Sequence, residues 1–154
     1  MPADASWKPA GYPSVTPYLI VRGAERAIAF YQEVFGATVR LRMDAPNGRI
    51  GHAELAIGDS LIMLADEAPE RNVLAPGTGG RDAVALHLYI ADVDAVVRTA
   101  QAAGAVLKLP VETRFYGDRL GTIVDPFGHV WHVSTHVEDV SPEEMARRAA
   151  AMSD

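Results

Sequence analysis

The sequence predicts an α+β fold in which two tandem βαβββ modules form a curled mixed sheet around a cleft. A helical stretch with apolar residues at spacings of three and four occurs twice, and each copy ends at a glycine. Each copy follows one strand-like run and precedes three more. The end of the first strand and the closing glycine are 15 residues apart in one half, from Val21 to Gly36, and 14 in the other, from Ile90 to Gly104. A repeat of this length indicates a duplicated supersecondary unit.

The first module is predicted to span 14–66, after an extended leader over 1–13. Its helix ends at Gly36, as expected for a glycine that adopts the left-handed conformation after a helix. Asn47-Gly48 and Gly58-Asp59 are typical of hairpin turns between strands. The predicted elements are, in order, a strand over Ser14–Val21, a helix over Gly23–Phe35, and strands over Thr38–Met43, Arg49–Ile57 and Leu61–Ala65.

The second module is predicted to span 84–137, after a turn-rich linker over 67–83. A C-terminal helix is expected within 138–154, because Ser141, Pro142 and Glu144 match an N-cap, a first-turn proline and a capping-box glutamate. We expect this helix to dock on the body or on a partner subunit. The predicted elements of the module are a strand over Val84–Ile90, a helix over Asp92–Ala103, and strands over Val106–Val111, Asp118–Val124 and His129–His136.

The composition excludes several classes of protein. The 154 residues include no cysteine, which excludes a disulfide-stapled miniprotein and a cysteine-ligated zinc or iron–sulfur site. Lys and Arg number 14 against 20 Asp and Glu, so the net charge is −6 and we expect no nucleic-acid partner. No apolar run is long enough for a membrane span or a signal peptide, so we expect a cytoplasmic protein with no membrane partner. The five histidines remain as carriers of metal or acid–base chemistry.

Strand alternation assigns the side chains to two faces of each predicted sheet. One face packs on the helix, as expected for Val15, Leu19 and Val21 of the first strand. The opposite, open face combines apolar groups with a few polar ones, which is typical of a small-molecule pocket. Its polar members are predicted to be Tyr18, His52, Glu54, His87, Tyr89 and His132.

The polar groups of the open face also have structural interpretations. Glu54 can contact a ligand together with His52, or it can pair with Arg40 or Arg42 on a neighbouring strand. His87 interrupts an aliphatic strand and would bury a polar ring, either to bind a ligand or as a hydrogen-bonded core histidine; His132 has the same two interpretations. The histidines expected in solvent, in a turn or at a strand end are His52, His129 and His136.

Two runs of residues are specific when taken together: 27–37, with Phe30-Tyr31 and Phe35-Gly36-Ala37, and 125–129, which reads Asp-Pro-Phe-Gly-His. On these runs the chain resembles the vicinal oxygen chelate superfamily of glyoxalases, extradiol dioxygenases and bleomycin- or fosfomycin-resistance proteins. The runs 52–55, 62–67, 115–119 and 138–145 resemble its PhnB-like branch. The resemblance covers nearly all of 13–145.

The resemblance also implies where a metal would be bound. Metalloenzymes of this superfamily place ligands on the first and last strands of each unit, and the four positions fall on Thr16, Met63, Ala85 and His132. The repeat supports this alignment, because Met63 lies 27 residues after Gly36 and His132 lies 28 after Gly104. Three of the four positions lack a histidine or glutamate, so the ancestral metal site looks dismantled.

The favoured hypothesis is therefore a metal-free protein, without a cofactor, that sequesters a small, partly aromatic ligand in its cleft. The alternative is a lyase, isomerase or dioxygenase that acts on vicinal oxygens with zinc, nickel, manganese or iron. In that case Glu54 would be the catalytic base, and His87, His132 and Glu54 would hold the metal. The resemblance also implies a homodimer, in which a second subunit can complete the cleft. A third hypothesis is an interaction module whose cleft is filled by its own side chains. The residues expected to bind the ligand are Thr16, Tyr18, His52, Glu54, Met63, His87, Tyr89 and His132.

Overall fold

The computed structural model describes residues 7–77 and 84–152. They fall into two compact units that divide between Pro76 and Gly77. Each unit contains one βαβββ module, so the predicted α+β class and the tandem repeat are confirmed. The elements of module one are β1 (Tyr18–Val21), α1 (Ala24–Phe35), β2 (Thr38–Asp44), β3 (Ile50–Ile57) and β4 (Ser60–Asp66). Those of module two and its tail are β5 (Ala85–Tyr89), α2 (Val93–Ala102), β6 (Val106–Thr113), β7 (Asp118–Val124), β8 (Val130–His136) and α3 (Pro142–Ala151).

The two modules share one strand topology. The strand order is β1-β4-β3-β2 in module one and β5-β8-β7-β6 in module two. In each sheet the first strand runs parallel to the last, and the other neighbours are antiparallel. Neither four-stranded sheet closes into a barrel over the described residues. That the sheets curl around a common cleft stays a prediction.

The strand register shows which positions of the repeat are equivalent. Met63 pairs with Tyr18 on one side and Glu54 on the other, and His132 pairs with His87 and Thr122 in the same way. The match between Met63 and His132, predicted by counting from two glycines, is therefore confirmed. The equivalent pairs of this row are Tyr18 and His87, Met63 and His132, Glu54 and Thr122, and Leu41 and Leu109.

Helix α1 is amphipathic and buries one face against the sheet of module one. Its Tyr31 ring is fully buried and stacks on Phe35, with ring centroids 6.0 Å apart. Gly36 ends the helix with φ of 67°, and the chain turns directly into β2. At the other end, the Asp66 carboxylate accepts hydrogen bonds from the backbone N–H groups of Gly23 and Ala24. An acceptor at this position satisfies N–H groups that have no partner within the helix.

The first strand is shorter than predicted. It begins at Tyr18 rather than Ser14, and Val15 is 84% exposed instead of packing against the helix. Pro17 has no N–H to donate to a neighbouring strand. Only its carbonyl can take part in the sheet, and it accepts from the Met63 N–H at 2.9 Å. Leu19 and Val21 are buried as predicted.

Part of the predicted linker has local structure. Ala68 and Val73 form an isolated antiparallel bridge around a 3₁₀ turn at Pro69–Arg71. The Glu67 carboxylate accepts hydrogen bonds from the Arg22 guanidinium and from the backbone N–H of Ala75. Residues 67–75 are therefore tied to module one, and 78–83 lie outside the described residues.

The tail helix α3 docks on module two. The Ser141 hydroxyl accepts a hydrogen bond from the Glu144 N–H, which confirms the predicted N-cap. Arg148 donates to the Phe115 carbonyl at 3.1 Å and pairs with Glu138 at 2.8 Å. These contacts hold α3 against the turn that connects β6 and β7. In the part of the chain that is described, no helix is both long and apolar enough to cross a membrane.

Candidate functional site

The open face of module one carries a continuous chain of hydrogen bonds. Tyr12 donates its phenolic hydrogen to Oε1 of Glu54. Oε2 of Glu54 lies 2.9 Å from Nε2 of His52, and Nδ1 of His52 lies 2.8 Å from the Tyr18 hydroxyl. Because a carboxylate only accepts, Nε2 of His52 carries a hydrogen and donates it to Glu54. The sequence placed Tyr18, His52 and Glu54 on one face, and the structure brings them together.

Glu54 is the buried centre of this chain. It is only 4% exposed, yet its pKa is lowered, first by the hydrogen bond from Tyr12 and then by the one from His52. Burial alone would raise the pKa, so the two donors outweigh desolvation and keep the carboxylate ionised. The same carboxylate raises the pKa of the Tyr12 phenol, which stays protonated as a donor.

Of the two arginines predicted to pair with Glu54, Arg42 is turned away from it, whereas the positive charge of Arg40 helps to lower the pKa of Glu54. Glu54 lies opposite Leu41 on β2, whereas Arg42 lies opposite Ala53 and therefore on the helix-facing side. Arg42 bonds Asp44 at 2.9 Å and approaches Glu25 of α1 at 3.6 Å. Arg40 sits where the β2–β3 register shifts, between Val39 and Leu41.

A cavity of about 490 Å³ adjoins Glu54 on the same face. Its floor includes Glu54 and Met63, and residues of the segment before β1 form its other walls. Thr16, expected to contact a ligand, lines this cavity, while Tyr18 lies beside it in the hydrogen-bonded chain. Tyr12 also lines the cavity, and the sequence did not single it out because the leader has no periodic pattern that assigns a face.

The open face of module two is organised around His132. Its Nδ1 lies 2.7 Å from the Thr122 hydroxyl on the neighbouring strand. The ring of His87 is next in the same row, with its centroid 6.1 Å from that of His132 and 4.8 Å from that of Tyr89. Sequence reasoning missed Thr122, although alternation along β7 puts it on the same face as Leu120.

His87 is exposed rather than buried, contrary to the expectation from its aliphatic strand. Strand β5 is at the end of its sheet order and pairs with β8 alone among the described strands, so its side chains are covered from one side. Desolvation and the neighbouring His132 lower the pKa of His87. His87 is therefore a neutral ring, at neutral pH, on the surface of a cavity.

That cavity in module two has a volume of about 580 Å³. Its polar side is formed by His87, Thr122 and His132. Two charged side chains of opposite sign, Glu112 and Arg114, also line it. The end of α3 also takes part, because Met152 lines the cavity. Its apolar and aromatic lining comes from Leu109, Phe115, Tyr116, Leu120 and Met152.

A second polar cluster lies at the far end of β7 and β8. Asp118 is buried and accepts hydrogen bonds from the Tyr89 hydroxyl at 3.0 Å and from Nδ1 of His136 at 2.8 Å. Nε2 of His136 lies 2.7 Å from the Asp139 carboxylate. Because both neighbours are carboxylates, which only accept, both ring nitrogens of His136 must donate. The two carboxylates therefore raise the pKa of His136, and the hydrogen bond to Asp118 contributes most. His136 lies at the strand end, as predicted, but it joins β8 to the segment before α3.

Ser134, between His132 and His136, has a buried hydroxyl without a hydrogen-bond partner among the described residues.

The residues at the metal positions implied by the resemblance do not match a divalent-metal site. Thr16, Met63 and Ala85 supply a hydroxyl, a thioether and a methyl group, none of which is a usual ligand of zinc, nickel, manganese or iron. Within either module, the described residues contain no group of three His, Asp or Glu side chains placed to hold a metal ion. Each oxygen of Glu54 already accepts one hydrogen bond, from Tyr12 and from His52.

Comparisons with known proteins agree with this architecture. An uncharacterized protein of Mycobacterium bovis is 34% identical over 145 residues, which cover 92% of this chain and 95% of that protein. The crystal structure of TioX from Micromonospora sp. ML1 is similar with a TM-score of 0.63 and 26% identity, and the match covers 81% of this chain and 99% of TioX. The PhnB protein from Bacillus cereus, described as a putative 3-demethylubiquinone-9 3-methyltransferase, shares the fold with a TM-score of 0.64 at 17% identity, over 80% of this chain and 99% of its own. Residues 13–133 match the Glyoxalase/Bleomycin resistance protein/Dioxygenase superfamily, and the chain belongs to that superfamily.

Proposed function

We propose that the protein binds a small, partly aromatic molecule on the open faces of its sheets and sequesters it without a metal ion. The observation that carries this proposal is the cavity of about 580 Å³ in module two. Its size and its combination of apolar walls with a few polar groups are those of ligand pockets. The hydrogen bond between the Thr122 hydroxyl and Nδ1 of His132 fixes the orientation of the ring, and the other ring nitrogen would orient a polar group of the ligand.

The donor sets favour binding without a metal. A divalent ion needs several converging His, Asp or Glu ligands, and His132 is the one such residue at the four positions that the family uses. In the alternative set of His87, His132 and Glu54, each oxygen of Glu54 already accepts a hydrogen bond, so a metal ion would compete there with the donors Tyr12 and His52.

A metal-uptake experiment tests this proposal against the metalloenzyme alternative. Protein purified without metal-affinity resin would be equilibrated with millimolar zinc, nickel, manganese or iron, desalted, and analysed by inductively coupled plasma mass spectrometry. We expect substoichiometric metal in the wild type and no change in His87→Ala or His132→Ala. Stoichiometric metal that disappears in those two variants would show that the protein is a metalloprotein and refute the proposal.

Native mass spectrometry on protein purified from its host tests the ligand itself. We expect a small molecule to co-purify and to be lost from Thr122→Val, which keeps the shape of residue 122 but removes its hydroxyl. Arg26→Gln, on α1 of module one, is the matched surface control and should retain the molecule. Retention that is equal in all three proteins would contradict a site organised by Thr122 and His132.

We also propose that the chain belongs to the PhnB-like branch, acts in the cytoplasm and forms a homodimer. The runs of residues at 52–55 and 115–119 and the shared fold of the Bacillus cereus protein support the branch. The cysteine-free, acidic composition supports the location. Light scattering during gel filtration measures the oligomeric state, and a mass of 16.5 kDa would refute the homodimer.

A further inference from the structure

The buried carboxylate of module one takes a donor from outside its sheet. Glu54 lies between the core residues Ala53 and Leu55 on β3 and is 4% exposed. A buried, ionised carboxylate requires donors, and its strand supplies one, from His52 two residues away. The other donor is the Tyr12 phenol, 42 residues distant in sequence and outside every strand and helix.

The segment that carries Tyr12 lies on the sheet as a separate piece of chain. The backbone N–H of Tyr12 bonds the Pro9 carbonyl at 3.3 Å, and the Tyr12 carbonyl accepts from the Lys8 ammonium. These bonds stay within the segment, whereas the phenol reaches Glu54. The ring can therefore leave the carboxylate without breaking a bond of the β-sheet.

The surroundings of the Tyr12 ring are those of a ligand site. The cavity of about 490 Å³ beside Glu54 has Pro9, Pro13 and Met63 among its walls. Its volume lies within the usual range for small-molecule pockets. Beside this cavity, the Tyr12 hydroxyl donates to the buried Glu54 carboxylate, which is the bond expected from the hydroxyl of a bound phenol.

We propose that Glu54 anchors a binding site for the hydroxyl group of a phenolic ligand, and that the chain's own Tyr12 occupies this site in the structure. The inference rests on the proposed binding function and specifies the ligand chemistry at module one. An ionised carboxylate accepts hydrogen bonds only, so the ligand must present a donor. A neutral hydroxyl loses less hydration energy on entering this buried position than an ammonium group does. Tyr12 competes with the ligand for Glu54. The apparent affinity is therefore the intrinsic affinity multiplied by the fraction of molecules in which Tyr12 has left Glu54.

The test uses p-cresol, which has the ring and hydroxyl of the tyrosine side chain, and toluene, which lacks the hydroxyl. Both are titrated into ¹⁵N-labelled wild type, Tyr12→Ala and Tyr12→Ala/Glu54→Gln, and the shifts of the Glu54 and Met63 amides are followed by NMR. We expect p-cresol to bind Tyr12→Ala about tenfold more tightly than the wild type, and about tenfold more tightly than toluene does. Glu54→Gln should reduce the preference for p-cresol over toluene, because a charged acceptor bonds more strongly than a neutral one.

Equal affinity of p-cresol for the wild type and Tyr12→Ala would overturn the inference, because Tyr12 would not be a competitor. Equal affinity of p-cresol and toluene for Tyr12→Ala would also overturn it, because the cavity would then bind apolar rings without a hydrogen bond to Glu54. Shifts confined to module two, for example at His132, would refute the Glu54 site and leave the proposed function standing. If Tyr12→Ala does not fold, Tyr12→Phe keeps the ring and removes only the hydroxyl that bonds Glu54. Tighter binding of p-cresol to this variant than to the wild type supports the inference, and equal binding overturns it.

Discussion

Replacing Gly117 by alanine tests how the segment before α3 is fastened to module two. Gly117 lies in the turn between β6 and β7, and its carbonyl accepts from the N–H groups of Val137 and Glu138 at 2.9 and 3.1 Å. Its φ is +99°, and a Cβ at this position would lie 2.1 Å from the carbonyl oxygen of Glu138. That oxygen belongs to backbone, so the turn or the segment must move to admit a methyl group.

The expected cost has two parts, and a second glycine in the same module separates them. Gly104 has a φ of +102°, and a Cβ there would meet Pro126 at an ordinary distance of 3.5 Å. Gly104→Ala should therefore show only the cost of positive φ, about 1–2 kcal/mol. Gly117→Ala adds the cost of overpacking, about 1–3 kcal/mol, for a total of roughly 2–5 kcal/mol.

Urea unfolding and amide hydrogen exchange measure the two effects. We expect Gly117→Ala to lower the unfolding free energy more than Gly104→Ala does, and to remove the exchange protection of the Val137 and Glu138 amides. Gly104→Ala should leave that protection intact. If both variants lose the same stability and both amides stay protected in Gly117→Ala, the close approach of Gly117 to Glu138 does not hold the segment.

Two further predictions concern module two. Asp125→Asn should lower the unfolding free energy by about 1–3 kcal/mol, because the Trp131 Nε1–H that now donates to the Asp125 carboxylate at 2.9 Å would face an amide NH₂. In a double-mutant cycle, Asp125→Asn should cost much less in the Trp131→Phe background. Full additivity of the two changes would contradict the hydrogen bond between Trp131 and Asp125. Hydrogen bonds to Asp118 and Asp139 raise the pKa of His136 in the folded state, so its stabilising contribution is complete below the unfolded pKa of about 6.5 and is lost as the pH rises through the raised value. The melting temperature of wild type should therefore exceed that of His136→Gln most between about pH 5 and 6.5, and a difference that grows as the pH rises above this range would refute the ion pairs.

Periodicity and counting were sufficient for the architecture and for the equivalence of positions. Apolar spacing placed α1 and α2 close to their observed bounds, since an amphipathic helix must bury one face. Counting from Gly36 and Gly104 matched Met63 with His132, because a duplicated unit keeps the path length between its turns. The error at Ser14–Val21 arose at Pro17, where apolar alternation continued but the backbone could not donate to a neighbouring strand.

Alternation gives the face of a side chain but not its partner. Glu54 was placed on the correct face, yet its partners depend on where the aperiodic segment with Tyr12 runs, and sequence spacing does not determine that path. Arg42 lies on the strand next to Glu54, but the register turns its side chain toward Glu25 on the helix side. Thr122 could have been found, since the predicted β7 bounds put its side chain on the open face beside His132.

The repeat has preserved the backbone of the two modules while the chemistry of equivalent positions has diverged. Where module one has the carboxylate of Glu54, module two has the hydroxyl of Thr122, and where module one has Met63, module two has His132. A carboxylate only accepts hydrogen bonds, whereas a histidine held by a threonine can donate or accept with its remaining ring nitrogen. The two open faces therefore cannot recognise the same chemical group in the same way. The asymmetry predicts that Glu54→Gln and His132→Ala weaken binding of different functional groups.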